Sequence, residues 1–185
     1  MPHKMGLYLH RIHELDSLLC LRVNRTSQYR WVRLPFRVIS RLGDGVFWYT
    51  LMLGILLSQG ESGLIPCISM LLAGLSGTLI YKWIKGKASR PRPHEVYQDI
   101  WLAAAPLDRF SFPSGHTLHA VAFSCVALSY YPALAWLLVP FTVLVAISRV
   151  ILGLHYPTDV VAGALIGGLI AGLTSALIPR LSFLW

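Results

Sequence analysis

The chain has 185 residues, of which 55% are hydrophobic and only 13% charged, with a formal net charge of +8. That length holds one compact unit and leaves no room for a second large domain. Charged residues at about half the ~25% share usual in soluble proteins argue against disorder and against a soluble enzyme. Three widely spaced cysteines, Cys20, Cys67 and Cys125, support neither a disulfide scaffold nor a zinc ribbon.

Residues 1–44 contain no membrane span, because Arg11, Glu14, Asp16 and Arg22 interrupt every apolar run. Ile12, Leu15, Leu18 and Leu19 form a helical apolar stripe beside those charges, which fits a helix lying in the membrane interface or one packed on the rest of the molecule. Trp31 to Arg41 mixes Trp, Phe and Ile with Arg33, Arg37 and Arg41, a composition suited to the headgroup level.

A helix crossing about 30 Å of hydrocarbon needs roughly 20 apolar residues. Gly45 to Gly60 and Ser62 to Tyr81 form a predicted hairpin of two spans. Thr117 to Ser148 is too long for one span, and Tyr130, Tyr131 and Pro132 mark the turn that divides it. Val160 to Pro179 is the last span. The predicted fold is therefore all-α: a polytopic membrane bundle of about five transmembrane helices plus an N-terminal amphipathic interfacial helix. Its organisation is an interfacial segment, 1–44, and one membrane-embedded unit, 45–185.

Five crossings put the N-terminus, the loop from Lys82 to Pro113 and the Arg149 to Asp159 turn on one side. Fifteen of the sixteen Lys and Arg residues fall there; only Arg180 does not. Basic residues that flank spans and belong to no base-reading module exclude nucleic acid as the partner and leave the bilayer and an anionic lipid.

Three clusters on that side carry chemistry. Lys85 and Arg92, followed by Pro93, supply an ammonium and a guanidinium suited to phosphate oxygens, although a solvated basic loop has the same composition. Ser114, Gly115 and His116 stand where the loop enters a membrane helix. Free N–H groups and the helix dipole favour an anion at that position, Ser114 can cap, and His116 can protonate a leaving group. His119 shares a face with His116, a spacing more usual for packing than for metal binding. Arg149, His155 and Asp159 form the third cluster, in which a carboxylate can orient an imidazole nucleophile or serve only as a favourable residue in the first helical turn. Asp99 and Asp108 are separate loop residues rather than a carboxylate cluster for a metal ion.

In these clusters the chain resembles the type 2 phosphatidic acid phosphatase family. That family's signature reads Lys, six residues, Arg-Pro; then Pro-Ser-Gly-His; then Ser-Arg, five residues, His, three residues, Asp. All three parts are present in order, and Ser40, Gly43 and Gly45 match an element often found upstream, so the resemblance covers about residues 40 to 180. It implies a lipid phosphate phosphatase without metal or cofactor. His155 would be the nucleophile that forms a phosphohistidine, Asp159 its orienting carboxylate, and His116 the acid that then activates water. Lys85, Arg92, Ser114, Gly115 and Arg149 would hold the phosphoryl oxygens. The implied substrates are phosphatidate, phosphatidylglycerophosphate or a polyprenyl diphosphate such as undecaprenyl diphosphate. The implied location is a bacterial inner membrane, with the site often on the periplasmic face, whereas the basic-residue count places the same side in the cytoplasm. A headgroup-binding or transport protein would use the same basic site without turnover.

Gly163 and Gly167, then Gly168 and Gly172, give two GxxxG spacings in the last helix, suited to close packing inside the bundle or between two copies as a homodimer. Trp101, Phe110 and Phe112 in the long loop suit interfacial anchoring or guidance of a lipid.

Overall fold

The computed structural model describes residues 2–181, and side chains from 10 to 177. Eight helices follow in chain order: α1 (Pro2–Asn24), α2 (Arg30–Arg41), α3 (Phe47–Gln59), α4 (Leu64–Ala88), the single turn α5 (Pro93–Val96), α6 (Gly115–Tyr130), α7 (Ala135–Ile151) and α8 (Pro157–Leu181). No strand occurs among the described residues. Helices α3, α4, α6, α7 and α8 coincide with the five predicted spans, and the break between α6 and α7 falls at Tyr131 and Pro132. One boundary differs: α4 does not end at Tyr81 but runs on through Lys82, Lys85 and Lys87, so Lys85 stands on a helix rather than in the loop. Lysines near a helix C-terminus complement the dipole there, which lets the helix outlast its apolar run.

Helix α6 is the centre of the bundle and packs against α4, α7 and α8. Its inward residues are mostly small, with Ala120, Ala122, Ser124 and Ala127 buried, so neighbouring backbones approach closely. Helix α8 meets it through Gly163 and Gly167: a Cβ at Gly163 would lie 2.5 Å from the Ser114 carbonyl oxygen, and one at Gly167 would overlap the Leu118 carbonyl. Gly168 and Gly172 have open space instead. The outer surface is apolar, with Leu165, Leu169, Leu173 and Leu177 forming an exposed ridge on α8 and Trp136, Val139, Val143 and Ile147 exposed on α7. Three helical stretches, 30–96, 132–151 and 157–177, are long and apolar enough to cross a membrane. A bundle that turns leucine outward on this scale is stable only in lipid. The protein is an integral membrane protein.

Helix α1 packs on the rest of the molecule, one of the two arrangements its sequence allows. Asp16, Ser17, Cys20 and Asn24 are buried against α7, α8 and the long loop, while Ile12, Leu15, Leu18 and Leu19 are exposed. Its polar residues point inward and its leucines outward, as suits a helix between a polar site and lipid. The loop over residues 89–114 is held by side chain–backbone bonds. Asn24 Nδ2 donates to the carbonyls of Trp101 (3.0 Å) and Ile151 (2.9 Å), the Trp101 N–H donates to Asn24 Oδ1 (2.8 Å), and Arg37 Nε donates to the Ala103 carbonyl (2.9 Å).

The packing predicts a contrast within one helix. Gly167→Val should cost about 1–3 kcal/mol through overpacking. That lowers the melting temperature in detergent by roughly 2–10 °C, whereas Gly168→Val should leave it nearly unchanged. Equal shifts in thermal unfolding would contradict the α6–α8 contact described.

Candidate active site

Helix ends deliver the charged groups to one place. Lys85 comes from the last turn of α4, Arg92 from the residue that opens α5, His116 from the first turn of α6 and Arg149 from the last turn of α7. His155 lies in the turn between α7 and α8, and Asp159 in the first turn of α8. That turn needs Gly153: its φ is +73°, and a Cβ would come within 2.8 Å of the Ile100 side chain and 2.9 Å of the Trp101 carbonyl. Lys85, Arg92, Arg149, His155, Ser114 and Asp159 are all buried.

Burying three cations near one another demands acceptors. Lys85 Nζ donates to Asp108 Oδ1 at 2.6 Å and to the Phe110 carbonyl at 3.0 Å. Arg92 donates to the same Asp108 oxygen (2.7 Å), to the Asp108 carbonyl (3.1 Å) and to the Leu154 carbonyl (2.7 Å). Arg149 donates to Ser40 Oγ, and its Nε has no partner among the described residues. Burial raises the pKa of Asp108, but the Lys85 ammonium and the Arg92 guanidinium outweigh it and hold the carboxyl below the usual carboxylate range.

His155 Nδ1 faces Asp159 Oδ2 at 3.7 Å, within ion-pair range but longer than a hydrogen bond. Burial, then the charges of Arg149, Arg92 and Lys85, hold the imidazole pKa well below its ordinary value. The ring is therefore neutral at physiological pH, the form that carries a nucleophilic lone pair. His116 pairs through Nε2 with Asp44 Oδ1. Ser114 occupies the N-cap position of α6 but does not cap it with its side chain: its hydroxyl shares a 3.0 Å bond with Thr117 Oγ1, while its N–H donates to the Asp159 carbonyl at 3.0 Å. His119 is held within the bundle near Thr78 Oγ1 (3.0 Å) and the Gly115 carbonyl (2.8 Å), a packing role. Among the described residues, no three His, Cys, Asp or Glu side chains converge as a metal site requires.

Lys85, Arg92, Gly115, His116, Arg149 and His155 line one cavity of about 810 Å³. Its walls change character along its length, from these polar groups to Trp48 and Tyr49 of α3, Leu71 and Leu75 of α4 and Phe123 of α6. A polar head next to an apolar trough matches an amphiphile.

Three carboxylates are site partners that the sequence does not reveal as such, Asp16, Asp44 and Asp108, while Arg90 falls inside the first basic cluster, between Lys85 and Arg92. Asp44 had a signal, since it sits between Gly43 and Gly45 in the upstream element. Asp108 stands apart from the motifs along the chain, and the fold makes it the link between Lys85 and Arg92. Asp16 belongs to no motif, and Arg90 occupies one of the six unspecified positions of the first one.

Comparison with known proteins follows the same lines. The model of the PAP2 superfamily matches residues 62–183. An undecaprenyl-diphosphatase of Sulfolobus acidocaldarius is 30% identical over 139 residues, 74% of this chain and 66% of that protein. Undecaprenyl-diphosphatase BcrC of Bacillus subtilis is 36% identical over 101 residues, 55% of this chain and 51% of that protein. The matches thus span about half to two thirds of these relatives' length. Among solved structures, a transmembrane PAP2-type phosphatidylglycerolphosphate phosphatase from Bacillus subtilis superposes with a TM-score of 0.72 at 25% identity, covering 92% of this chain and 87% of that one.

The shared Asp108 carboxylate predicts a measurable effect. Asp108→Asn removes a negative charge beside two site cations, so inorganic phosphate or vanadate should bind the variant about tenfold more tightly, a change of ~1.4 kcal/mol. Calorimetric titration on the detergent-solubilised protein reads this, and unchanged or weaker anion binding would contradict it.

Proposed function

The chain belongs to the PAP2 superfamily, and on that premise we propose that it hydrolyses the phosphomonoester or diphosphate headgroup of membrane lipids through a phosphohistidine at His155. The observation that carries this reading is the cavity in which Lys85, Arg92, Arg149, His116 and His155 meet beside an apolar trough.

In the proposed reaction the phosphoryl oxygens lie among Lys85, Arg92 and Arg149 and at the N-terminus of α6, where Ser114 and Gly115 place the backbone. The neutral His155 attacks phosphorus, a P–N bond forms, and the bond to the leaving oxygen breaks. A phosphoryl dianion beside His116 offsets the charge of Arg149 and favours the protonated imidazole, and that form gives the leaving oxygen its proton. Asp159 stabilises the imidazolium character that develops on His155. His116, now neutral, takes a proton from water, whose oxygen displaces His155 and releases inorganic phosphate. Positive side chains do the neutralising that metal ions do in other phosphoryl transfers, so the reaction is proposed to need no metal or cofactor.

The names of the relatives direct the choice of substrate to polyprenyl diphosphate, with phosphatidylglycerophosphate and phosphatidate as the other members of the class. The setting proposed is a bacterial inner membrane. Gly168 and Gly172, with open space before them, are the pair available for a second copy of the chain.

Purified protein in detergent and chelator should release phosphate from at least one of these lipids. His155→Ala and His116→Ala should each lower kcat by about 10³-fold or more, the scale seen when a nucleophile or its proton partner is removed. Full turnover by either variant would overturn the assignment of roles. Binding of the lipid without phosphate release by the unmodified protein would favour a headgroup-binding or transport function instead.

A further inference from the structure

Asp159, placed beside the nucleophile, does not stand alone. Its carboxylate is fully buried, and its two oxygens are used differently. Oδ2 accepts the Tyr156 N–H at 2.9 Å and faces His155 Nδ1. Oδ1 accepts Arg90 Nη1 at 2.7 Å. Arg90 then reaches away from the cavity: its Nη2 donates to Asp16 Oδ2 at 2.6 Å, its Nη1 also donates to Thr158 Oγ1 at 2.8 Å, and its guanidinium lies 4.0 Å from the centre of the Tyr156 ring. Asp16, only 2% exposed, is held in turn by α8, accepting the Thr158 N–H at 2.9 Å and the Thr158 hydroxyl at 2.5 Å. Asp16, Arg90 and Thr158 thus close a ring of charge-assisted bonds whose remaining arm ends on Asp159.

We propose that Asp16 and Arg90 are positioning residues for the catalytic carboxylate, so that the N-terminal helix α1, which lies outside the segment matched by the family model, forms part of the machinery of the site. The inference rests on the phosphatase reading above and adds residues that the three-part signature does not contain. Arg90 is the cation paired with Asp159 among the described residues. Without it a carboxylate in this apolar setting would tend to take up a proton or rotate toward other donors, and in either case the His155 ring would lose the charged oxygen that faces it at 3.7 Å. Asp16 takes the Arg90 nitrogen that Asp159 leaves free and so helps fix its rotamer, and Asp16 can do so only while α1 lies against the start of α8. A staple that merely tied α1 to the bundle would need no arm on Asp159. Groups that orient a catalytic histidine's partner act through geometry and charge rather than through substrate contact, so their loss falls on the chemical step.

The experiment is steady-state kinetics of purified full-length protein in detergent with the lipid phosphate that the unmodified chain turns over, together with a thermal melt of each variant. Arg90→Gln should lower kcat by about 10- to 100-fold, with KM changed less than about threefold, and Arg90→Lys should recover part of the loss. Asp16→Asn, nearly isosteric and milder, should lower kcat in the same direction. The double variant should be no slower than Arg90→Gln alone, since both changes break one device. Unchanged kcat in Asp16→Asn and Arg90→Gln, with or without a lower melting temperature, would overturn the proposal, as would losses that multiply in the double variant. If Arg90→Gln does not fold, the kcat and KM of Asp16→Asn decide alone. No turnover by the unmodified chain on any lipid phosphate would instead defeat the phosphatase reading, and this inference with it.

Discussion

The structure depends on one electrostatic constraint, the burial of several positive groups at a common point inside an apolar bundle. Two like charges 4 Å apart repel by roughly 4 kcal/mol even at an effective dielectric constant of 20. Lys85, Arg92 and Arg149 can converge only because acceptors converge with them. Asp108 takes two of the cations on a single oxygen, backbone carbonyls of the 89–114 loop and of the turn before α8 take further donors, and Ser40 takes Arg149. The same cations offer the donors that a multiply charged phosphate calls for and, with burial, hold the imidazole pKa of His155 below its ordinary value, so one arrangement suits both roles proposed for it.

Close helix packing is what places the helix ends accurately enough for this. Gly163 and Gly167 let α8 lie directly against the backbone of α6, which sets the start of α8, with Asp159, beside the start of α6, with Ser114 and His116. The 3.0 Å bond from the Ser114 N–H to the Asp159 carbonyl joins two parts of the signature directly. Gly153 turns the chain sharply between Arg149 and His155 where any side chain would strike the 89–114 loop. The GxxxG spacing of α8 and the histidine in the turn before it therefore belong to one mechanical unit.

Much of this was legible in the sequence, because lipid imposes a simple rule on spans and phosphate chemistry imposes one on residue types. Five charge-free runs became five helices, and Lys85, Arg92, His116, Arg149 and His155, widely separated along the chain, line one cavity. What escaped has physical reasons. The extension of α4 through its lysines follows from a helix-end effect that an apolar-run count ignores. The order of the 89–114 loop comes from Asn24 and Arg37, single side chains bonding to distant carbonyls without any periodicity. Asp16 pairs with residues on α8 far along the chain, and a lone aspartate in a basic segment looks like an ordinary solvated charge until the fold turns it inward. Leucines spaced along one face of α1 showed an amphipathic helix but not which face would meet the bundle.

The central claim is that an imidazole in this ring of cations accepts a phosphoryl group. Its most direct test is rapid acid-free quenching of the enzyme during turnover of a lipid carrying ³²P in its terminal phosphate, followed by peptide mapping. Alkali-stable, acid-labile label on the peptide containing His155 is the predicted result. Turnover at a normal rate with no protein-bound label at any quench time, or with the label on a different residue, would contradict it.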